Sequence, residues 1–288
     1  MHSPLVSVII VVYNAHQTIA GAIESVLSQT YTNRELVIID GGSNDGTLQV
    51  LEQYSQQFAC YVSEKDSGIY DAMNKGVKAA KGEWLYFLGS DDVLYNKEVL
   101  SQMFSRHEVS DVDFLYGNVR FSSNNEIFGG ERSYQELIAK NINHQAIFYK
   151  KNIFERIGLY DLGYKVLADY DLNLRVFREP GIIKKYVPLD ICLFNNKGGT
   201  SNITIDTNFF ADKLSYFLGV EKFPPGSPFL QQYYFYTGYV MLVKQKKFAG
   251  LSYCLRAFTS GPRKIFYILV FVKFILGHLG IGKKIKIV

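Results

Sequence analysis

Two adjacent carboxylates, Asp91 and Asp92, close an apolar run in "FLGSDDVLY" (residues 87–95), with no basic residue in the stretch. Adjacent like charges repel by about 1 kcal/mol at roughly 4 Å even in water, so a cation or hydroxyl partner would account for them. A divalent metal is the first candidate. The plainer alternative is a solvated turn, because Asp, Gly and Ser are ordinary turn residues. A second carboxylate, Asp40, ends the apolar stretch "RELVIID" and is followed by Gly41 and Gly42. A carboxylate there can take the hydroxyls or ring nitrogen of a nucleotide while glycine lets the backbone approach, and the alternative is a loop whose glycines only supply positive φ.

The surrounding pattern decides how these residues are presented. "VSVIIVVYN" is a continuous β-branched run, the signature of a strand buried on both faces of a parallel sheet. In "TIAGAIESVLSQT", Ile19, Ala22, Ile23, Val26 and Leu27 recur at helical spacing behind Thr18 as cap. "RELVIID" reads as a second strand, "TLQVLEQYSQQF" as a helix capped by Asp45 or Thr47, the segment with Tyr70, Met73, Asn74 and Val77 as a helix, and "EWLYFLG" as a further strand. Strands alternating with helices predict βαβ units and a parallel sheet. Ligands bind such sheets beyond the carboxyl ends of the strands, where "YN", "DGGSNDGT" and "GSDD" all fall. That coincidence raises the metal reading above the turn. From about Asp113 the pattern is mixed: "FLYGNVRF" and "EIFGGERS" predict a small antiparallel region, "NHQAIFYKKNIFERIG" a strand and short helix, and "LADYDLNLRVFREPG" a loop entering another helix.

Composition narrows the function classes. The chain has 288 residues, 48% of them hydrophobic, enough for one α/β domain with an appendage or two small domains. A net charge of +4 with interspersed signs lacks a nucleic-acid-binding footprint. Cys60, Cys192 and Cys254 are far apart with no C-x-x-C spacing, which argues against a disulfide framework or zinc site and fits a reducing, cytosolic setting. The N-terminus has no basic n-region and does not read as a signal peptide. Neither G-x-G-x-x-G after the first strand nor a Walker A sequence is present, which counts against dinucleotide binding and P-loop hydrolysis.

"VSVIIVVYNAHQTIAGAIESVLSQTYTNRELVIIDGGSNDGT" followed by "DSGIYDAMNKGVKAAKGEWLYFLGSDD" resembles the N-terminal half of glycosyltransferase family 2, the inverting GT-A enzymes, and is most similar to bacterial enzymes of O-antigen and exopolysaccharide assembly. The resemblance spans residues 5 to about 200. It implies a Rossmann-like, mainly parallel central sheet with flanking helices and a nucleotide-sugar donor. It implies that Asp40 holds the base or ribose with Tyr13 and Asn14 in the same pocket, that Asp91 faces the ribose, and that Asp92 binds magnesium or manganese. Asp66, Asp71 and Lys75 would lie along the donor, with Lys75 near a phosphate, although Asp71 and Lys75 at i, i+4 also suit a plain helix ion pair. A dication would neutralise the charge developing on the departing nucleoside diphosphate, and one protein carboxylate can suffice to hold it.

An inverting transferase also needs a base for the acceptor hydroxyl. In "KVLADYDLNLR", Asp169 matches the second residue of the family's Glu-Asp element, and Ala168 stands where the family has its glutamate. Asp171 is the rival, and two residues apart on a helix at most one of them points into the site. His144 and Gln145 in "NHQAIFY" resemble a polar pair bordering acceptor and donor sugar, and "NNKGGTS" near residue 198 is a loop that either closes over substrate or is plain surface.

The expected organisation is a catalytic domain over residues 1–215, divided into a nucleotide-binding half (1–112) and an acceptor-binding half (113–215), with a helical, membrane-associating extension over 216–288. "IFYILVFVKFILGHL" is shorter than the roughly 20 residues of a spanning helix, and its basic flanks suit a helix lying in the interface of a cytoplasmic membrane. The alternative is a core helix packed on the catalytic domain. These expectations amount to hexose transfer from a nucleotide diphosphate sugar, UDP-sugar foremost, to a lipid-linked (undecaprenyl diphosphate) saccharide, without nucleic acid. The alternatives are a non-catalytic nucleotide-sugar-binding scaffold subunit, and a nucleotidyltransferase, whose basic Gly-rich loop "YNAHQT" lacks.

Overall fold

The computed structural model describes residues 3–104, 109–196, 206–224, 226–243 and 247–278. The chain forms two compact units, residues 1–137 with 141–202 and residues 138–140 with 203–288.

The first unit is built on a nine-stranded mixed sheet. Its first half alternates as expected: β1 (Val6–Val12), α1 (Ile19–Leu27), β2 (Arg34–Asp40), α2 (Thr47–Gln53), β3 (Cys60–Ser63), α3 (Ile69–Ala79) and β4 (Trp84–Gly89). These four strands are parallel in the order β3-β2-β1-β4, and β1 is buried nearly throughout. Ile19, Ala22, Ile23 and Val26 form the buried face of α1, and Tyr70, Met73, Asn74 and Val77 lie on that of α3. The caps differ from the sequence reading. Thr18 occupies the α1 cap position but turns its hydroxyl to the Ala15 carbonyl, and Gly46, at φ +101°, caps α2 while Asp45 accepts from the Thr47 amide and hydroxyl.

The second half continues the same sheet. β5 (Val93–Leu94), α4 (Val99–Phe104), β6 (Phe114–Phe121), β7 (Ile127–Phe128), α5 (Tyr134–Ala139), β8 (Ile147–Lys150), α6 (Ile153–Ile157), α7 (Ala168–Arg178) and β9 (Lys184–Phe194) follow. The expected antiparallel region is therefore fused to the parallel half: β8 joins β4 antiparallel, β6 joins β8, and β9 runs parallel to β6. "KKYVPLDICLF" did not read as a strand because Pro188 and charged residues interrupt its alternation. The structure absorbs Pro188 where the β6–β9 register shifts. Register places Val12 beside Asp40, Asp40 beside Ser63 and Val11 beside Gly89, so the polar ends of β1 to β4 share one edge.

The second unit contains α8 (Thr207–Gly219), α9 (Pro228–Val243), α10 (Lys247–Thr259) and α11 (Lys264–His278). Its interior is aromatic: Phe217 meets Tyr233 at 5.3 Å and Phe235 meets Tyr267 at 4.7 Å. On α11, Tyr267 and Phe274 are buried, while Ile265, Phe266, Ile268, Leu269 and Val272 are exposed. Among the described residues no helix is long and apolar enough to cross a membrane, and the three cysteines are unpaired. Residues 197–205 of the "NNKGGTS" region, and Lys283, Lys284 and Lys286, lie outside the described residues.

Candidate active site

β4 ends at Gly89 because the chain must turn tightly there around its own carboxylate. A Cβ on Gly89 would lie 2.3 Å from Asp92 Oδ2 and 2.5 Å from Gln145 Nε2, so the close approach requires glycine. Asp92 is 1% exposed. Its Oδ2 accepts from Gln145 Nε2, and its Oδ1 accepts from the Asn195 amide at 2.5 Å. Gln145 is fixed in turn by the Gly89 amide (2.9 Å) and the Cys192 thiol (3.9 Å), both donating to its side-chain oxygen. Asp91 is exposed beside it and accepts from Asn195 Nδ2 at 3.0 Å.

Burial pushes the Asp92 carboxyl up to about 7, reinforced by the charge of Asp91 and opposed by the Asn195 and Gln145 bonds. The buried carboxylate thus has hydrogen-bond donors but, among the described residues, no ion-pair partner to offset its desolvation. One buried, oriented carboxylate and one exposed neighbour suit a hard dication that takes its other ligands from phosphate and water. Among the described residues no group of three His, Cys, Asp or Glu forms a self-sufficient metal cage.

Asp169 sits in the first turn of α7 and is 9% exposed. Its carboxylate accepts from the Tyr70 hydroxyl of α3 and from Asn141 Nδ2, each at 3.0 Å, and His144 Nδ1 lies 3.8 Å away. Behind Asn141 stands a chain of buried amides and hydroxyls: Asn173 Nδ2 donates to Asn141 Oδ1 at 2.9 Å, and the Tyr149 hydroxyl donates to Asn173 Oδ1 at 3.2 Å. Burial raises the Asp169 carboxyl above its usual range, against the charge of His144 and the Tyr70 bond; burial also lowers His144, against the charge of Asp169. A carboxyl raised toward neutrality suits a general base.

The two carboxylates of α7 have different partners. Asp171 takes Arg175 Nε at 2.7 Å, and the rest of that guanidinium donates to the carbonyls of Ile157, Gly158 and Leu159. Asp171 therefore ties α7 to the turn after α6. Ala168, in place of a glutamate, is fully buried.

His144 and Gln145 share a 3₁₀ turn (His144–Ala146) capped by Asn143, whose side chain accepts from the Gln145 amide at 2.9 Å. Neighbours in sequence, they face different carboxylates: His144 stands by Asp169 and Gln145 holds Asp92. One turn thereby links both acidic centres.

The other expected residues fall on the edge of β1 to β3. Asp40 has no exposed surface, and its carboxylate accepts from the amides of Gly42 and Ser43 and the hydroxyl of Ser63. In this conformation its carboxylate holds the loop that follows β2. Tyr13 is 61% exposed, and Asn14, at φ +50°, laces the β1 loop to the β2 loop through Ser43 and Asn44. Asp66 lies against this edge, where a Cβ on Gly41 would fall 2.3 Å from its Oδ2. Lys75 is committed to Glu64 (2.8 Å), Asp71 (3.5 Å) and the Lys65 carbonyl (3.3 Å), so the helix ion pair is the reading that the structure realises. Tyr70, Asn141, Asn173 and Asn195 were missed. Tyr70 is part of a regular buried helix stripe, and asparagines in "NINHQ" and "NNK" carry no spacing signal.

A family model, glycosyl transferase family 2, matches residues 7–161. A PGL/p-HBAD biosynthesis glycosyltransferase of Mycobacterium bovis is 39% identical over 216 residues, covering 73% of this chain and 84% of that relative. An uncharacterised glycosyltransferase of Rickettsia prowazekii is 30% identical over 63% of this chain and 61% of its own length. Among solved structures, S. aureus TarS residues 1–349 superpose with a TM-score of 0.58 at 16% identity, over 98% of this chain and 94% of that one. The mannosyltransferase of Pyrobaculum calidifontis, solved with GDP-Man and Mn2+, gives 0.59 at 18% identity, over 98% and 82%. The last two establish the GT-A-type fold. With a matching family model over more than half its length and a relative 39% identical over 73% of it, the chain belongs to the family 2 glycosyltransferases.

Proposed function

We propose that this glycosyltransferase is an inverting enzyme that transfers a hexose from a nucleoside diphosphate sugar, UDP-sugar foremost, to a lipid-linked saccharide at the inner face of the cytoplasmic membrane. The observation that carries the reading is the His144–Gln145 turn, which fixes a donor-side carboxylate and a base-side carboxylate through adjacent residues. Asp169, raised by burial and aimed by Tyr70 and Asn141, takes the proton of the acceptor hydroxyl. The acceptor oxygen then bonds to the anomeric carbon from the face opposite the leaving group, the bond from that carbon to phosphate oxygen breaks, and the nucleoside diphosphate leaves. Asp92, with Asp91 beside it, would hold magnesium or manganese, which when bound neutralises charge on the leaving diphosphate. Gln145 and Asn195 keep Asp92 oriented. Tyr13, Asn14 and Asp66 line the nucleotide edge, Asp40 acts through the loop it ties down, and Asp71 and Lys75 brace the neighbouring loop. The neighbours solved with UDP-GlcNAc and with GDP-Man and Mn2+ support a nucleotide-sugar donor, and the mycobacterial relative's name supports a role in glycoconjugate assembly.

The second unit supports the membrane side. Phe248 is 92% and Ile265 74% exposed, and residues 222–288 contain basic side chains but no Asp or Glu. An exposed apolar face with only positive charge fits peripheral binding to anionic lipid.

Calorimetric titration of UDP, GDP and dTDP, with and without manganese, into wild type and Asp92→Ala tests the donor side. Metal-dependent binding of one nucleotide, lost in Asp92→Ala, is expected. Absence of binding by wild type under every condition overturns it.

A further inference from the structure

We propose that Asn173, a side chain with no exposed surface, is a positioning residue for the base, a role that rests on the transferase reading above and deepens it: Asn173 fixes which end of the Asn141 amide faces Asp169.

Helix geometry sets the spacing. Asp169 and Asn173 stand four residues apart on α7, one turn along the same face. The Asn141 side chain spans that turn, its Nδ2 donating to Asp169 Oδ2 at 3.0 Å and its Oδ1 accepting from Asn173 Nδ2 at 2.9 Å. Turned end for end, it would set its oxygen against the carboxylate and its N–H groups against those of Asn173.

Asn173 is itself held in one orientation. Its nitrogen also donates to the Ile142 carbonyl at 3.4 Å, and its oxygen accepts from the Tyr149 hydroxyl at 3.2 Å. A backbone carbonyl only accepts, so it admits the nitrogen and not the oxygen. Donation therefore runs one way, from Tyr149 through Asn173 and Asn141 to the carboxylate. Tyr149 and Asn173 are fully buried, where an unmade bond costs most.

The consequence falls on the proton. A neutral Asp169 carries an O–H that a reversed Asn141 could accept. With Asn141 locked as a donor that compensation is closed, and the ionised carboxylate is favoured. Burial pulls the same carboxyl up, and the Asn141 bond opposes it. The other titratable groups around it are Tyr70 of α3, His144 of the 3₁₀ turn, Tyr149 of β8 and Tyr160 of the turn after α6. Asn173 thus keeps the base ionised without meeting substrate.

Carbon NMR of the Asp169 carboxyl across pH, in the full chain and assigned by its loss in Asp169→Asn, tests the role. Asn173→Leu and Asn173→Ser, one keeping side-chain volume and one reducing it, are expected to titrate about half a pH unit or more above wild type, and Asn141→Ala about one unit or more. Asn141→Ala combined with Asn173→Leu should rise no further than Asn141→Ala, because Asn173 acts only through that amide. An unmoved carboxyl in either folded Asn173 variant, or shifts that add in the combined variant, overturns the proposal. The acidic limb of donor-sugar hydrolysis, followed on the same proteins, separates the two claims: a carboxyl that moves while the limb stays in place leaves the role of Asn173 standing and removes Asp169 as the base.

Discussion

Replacing Tyr70 with phenylalanine removes one atom from the base and almost nothing else. The ring stacks on Tyr160 with centroids 5.5 Å apart, an arrangement that phenylalanine preserves, so the loss is confined to the hydroxyl that donates to Asp169 at 3.0 Å. A hydrogen bond to a charged group contributes about 1.5–3 kcal/mol. The Tyr70 bond opposes the upward pull of burial on the Asp169 carboxyl, so its removal raises that carboxyl further. The base works ionised, and the acidic limb of the kcat profile should therefore move to higher pH in Tyr70→Phe, with KM for the nucleotide sugar unchanged. Stability carries the same sign. The folded carboxyl already titrates above its unfolded value, so the stability from its protonated form is present at low pH and lost as pH rises through the folded value. Tyr70→Phe should accordingly destabilise by about 1.5–3 kcal/mol at neutral pH, where the lost bond is charge-assisted, and by less in acid. Denaturant unfolding at two pH values and a pH–rate profile check both. An unshifted acidic limb, with the loss confined to KM, would refute the assignment of Asp169 as base.

Asp171→Ala should cost about 1.5–3 kcal/mol of stability by removing the charged partner of Arg175 Nε, while turnover per folded molecule stays near wild type; urea unfolding beside active-site titration reads the difference. Gln145→Leu leaves Asp92 without its amide partner, so manganese affinity measured with nucleotide present should fall by about 10–100-fold with the fold retained. Gly89→Ala should abolish metal-dependent nucleotide binding outright, since its Cβ would displace either the Asp92 carboxylate or the Gln145 amide. Flotation with vesicles of anionic and neutral lipid should show binding to the anionic ones alone, weakened by salt and by Ile265→Ser with Phe266→Ser.

The parallel half was legible because its physics is local. Runs such as "VSVIIVV" and "RELVIID" are continuous because both faces are buried, and their polar ends mark the ligand edge. β9 was opaque because its pairing depends on a register shift around Pro188 that no local pattern announces. In the candidate site, the Asp91–Asp92 pair stands out by residue type and position, and Asp169 enters through the family resemblance. Their supports could not be read: Tyr70 and Asp169 are brought together across 99 residues, and Gln145 and Asp92 across 53. Asp40 shows the converse limit. Its place at a strand end marks it as a candidate, but the bonds it accepts from Gly42, Ser43 and Ser63 depend on loop folding that no local pattern announces.

Slow hydrolysis of the donor sugar, with water standing in for the acceptor, bears on the central claim most directly when followed by proton NMR. The account predicts release of nucleoside diphosphate and a sugar of inverted anomeric configuration, slowed by about 10²–10⁴-fold in Asp169→Asn while nucleotide binding persists. Retained configuration, or an undiminished rate in Asp169→Asn, would contradict it.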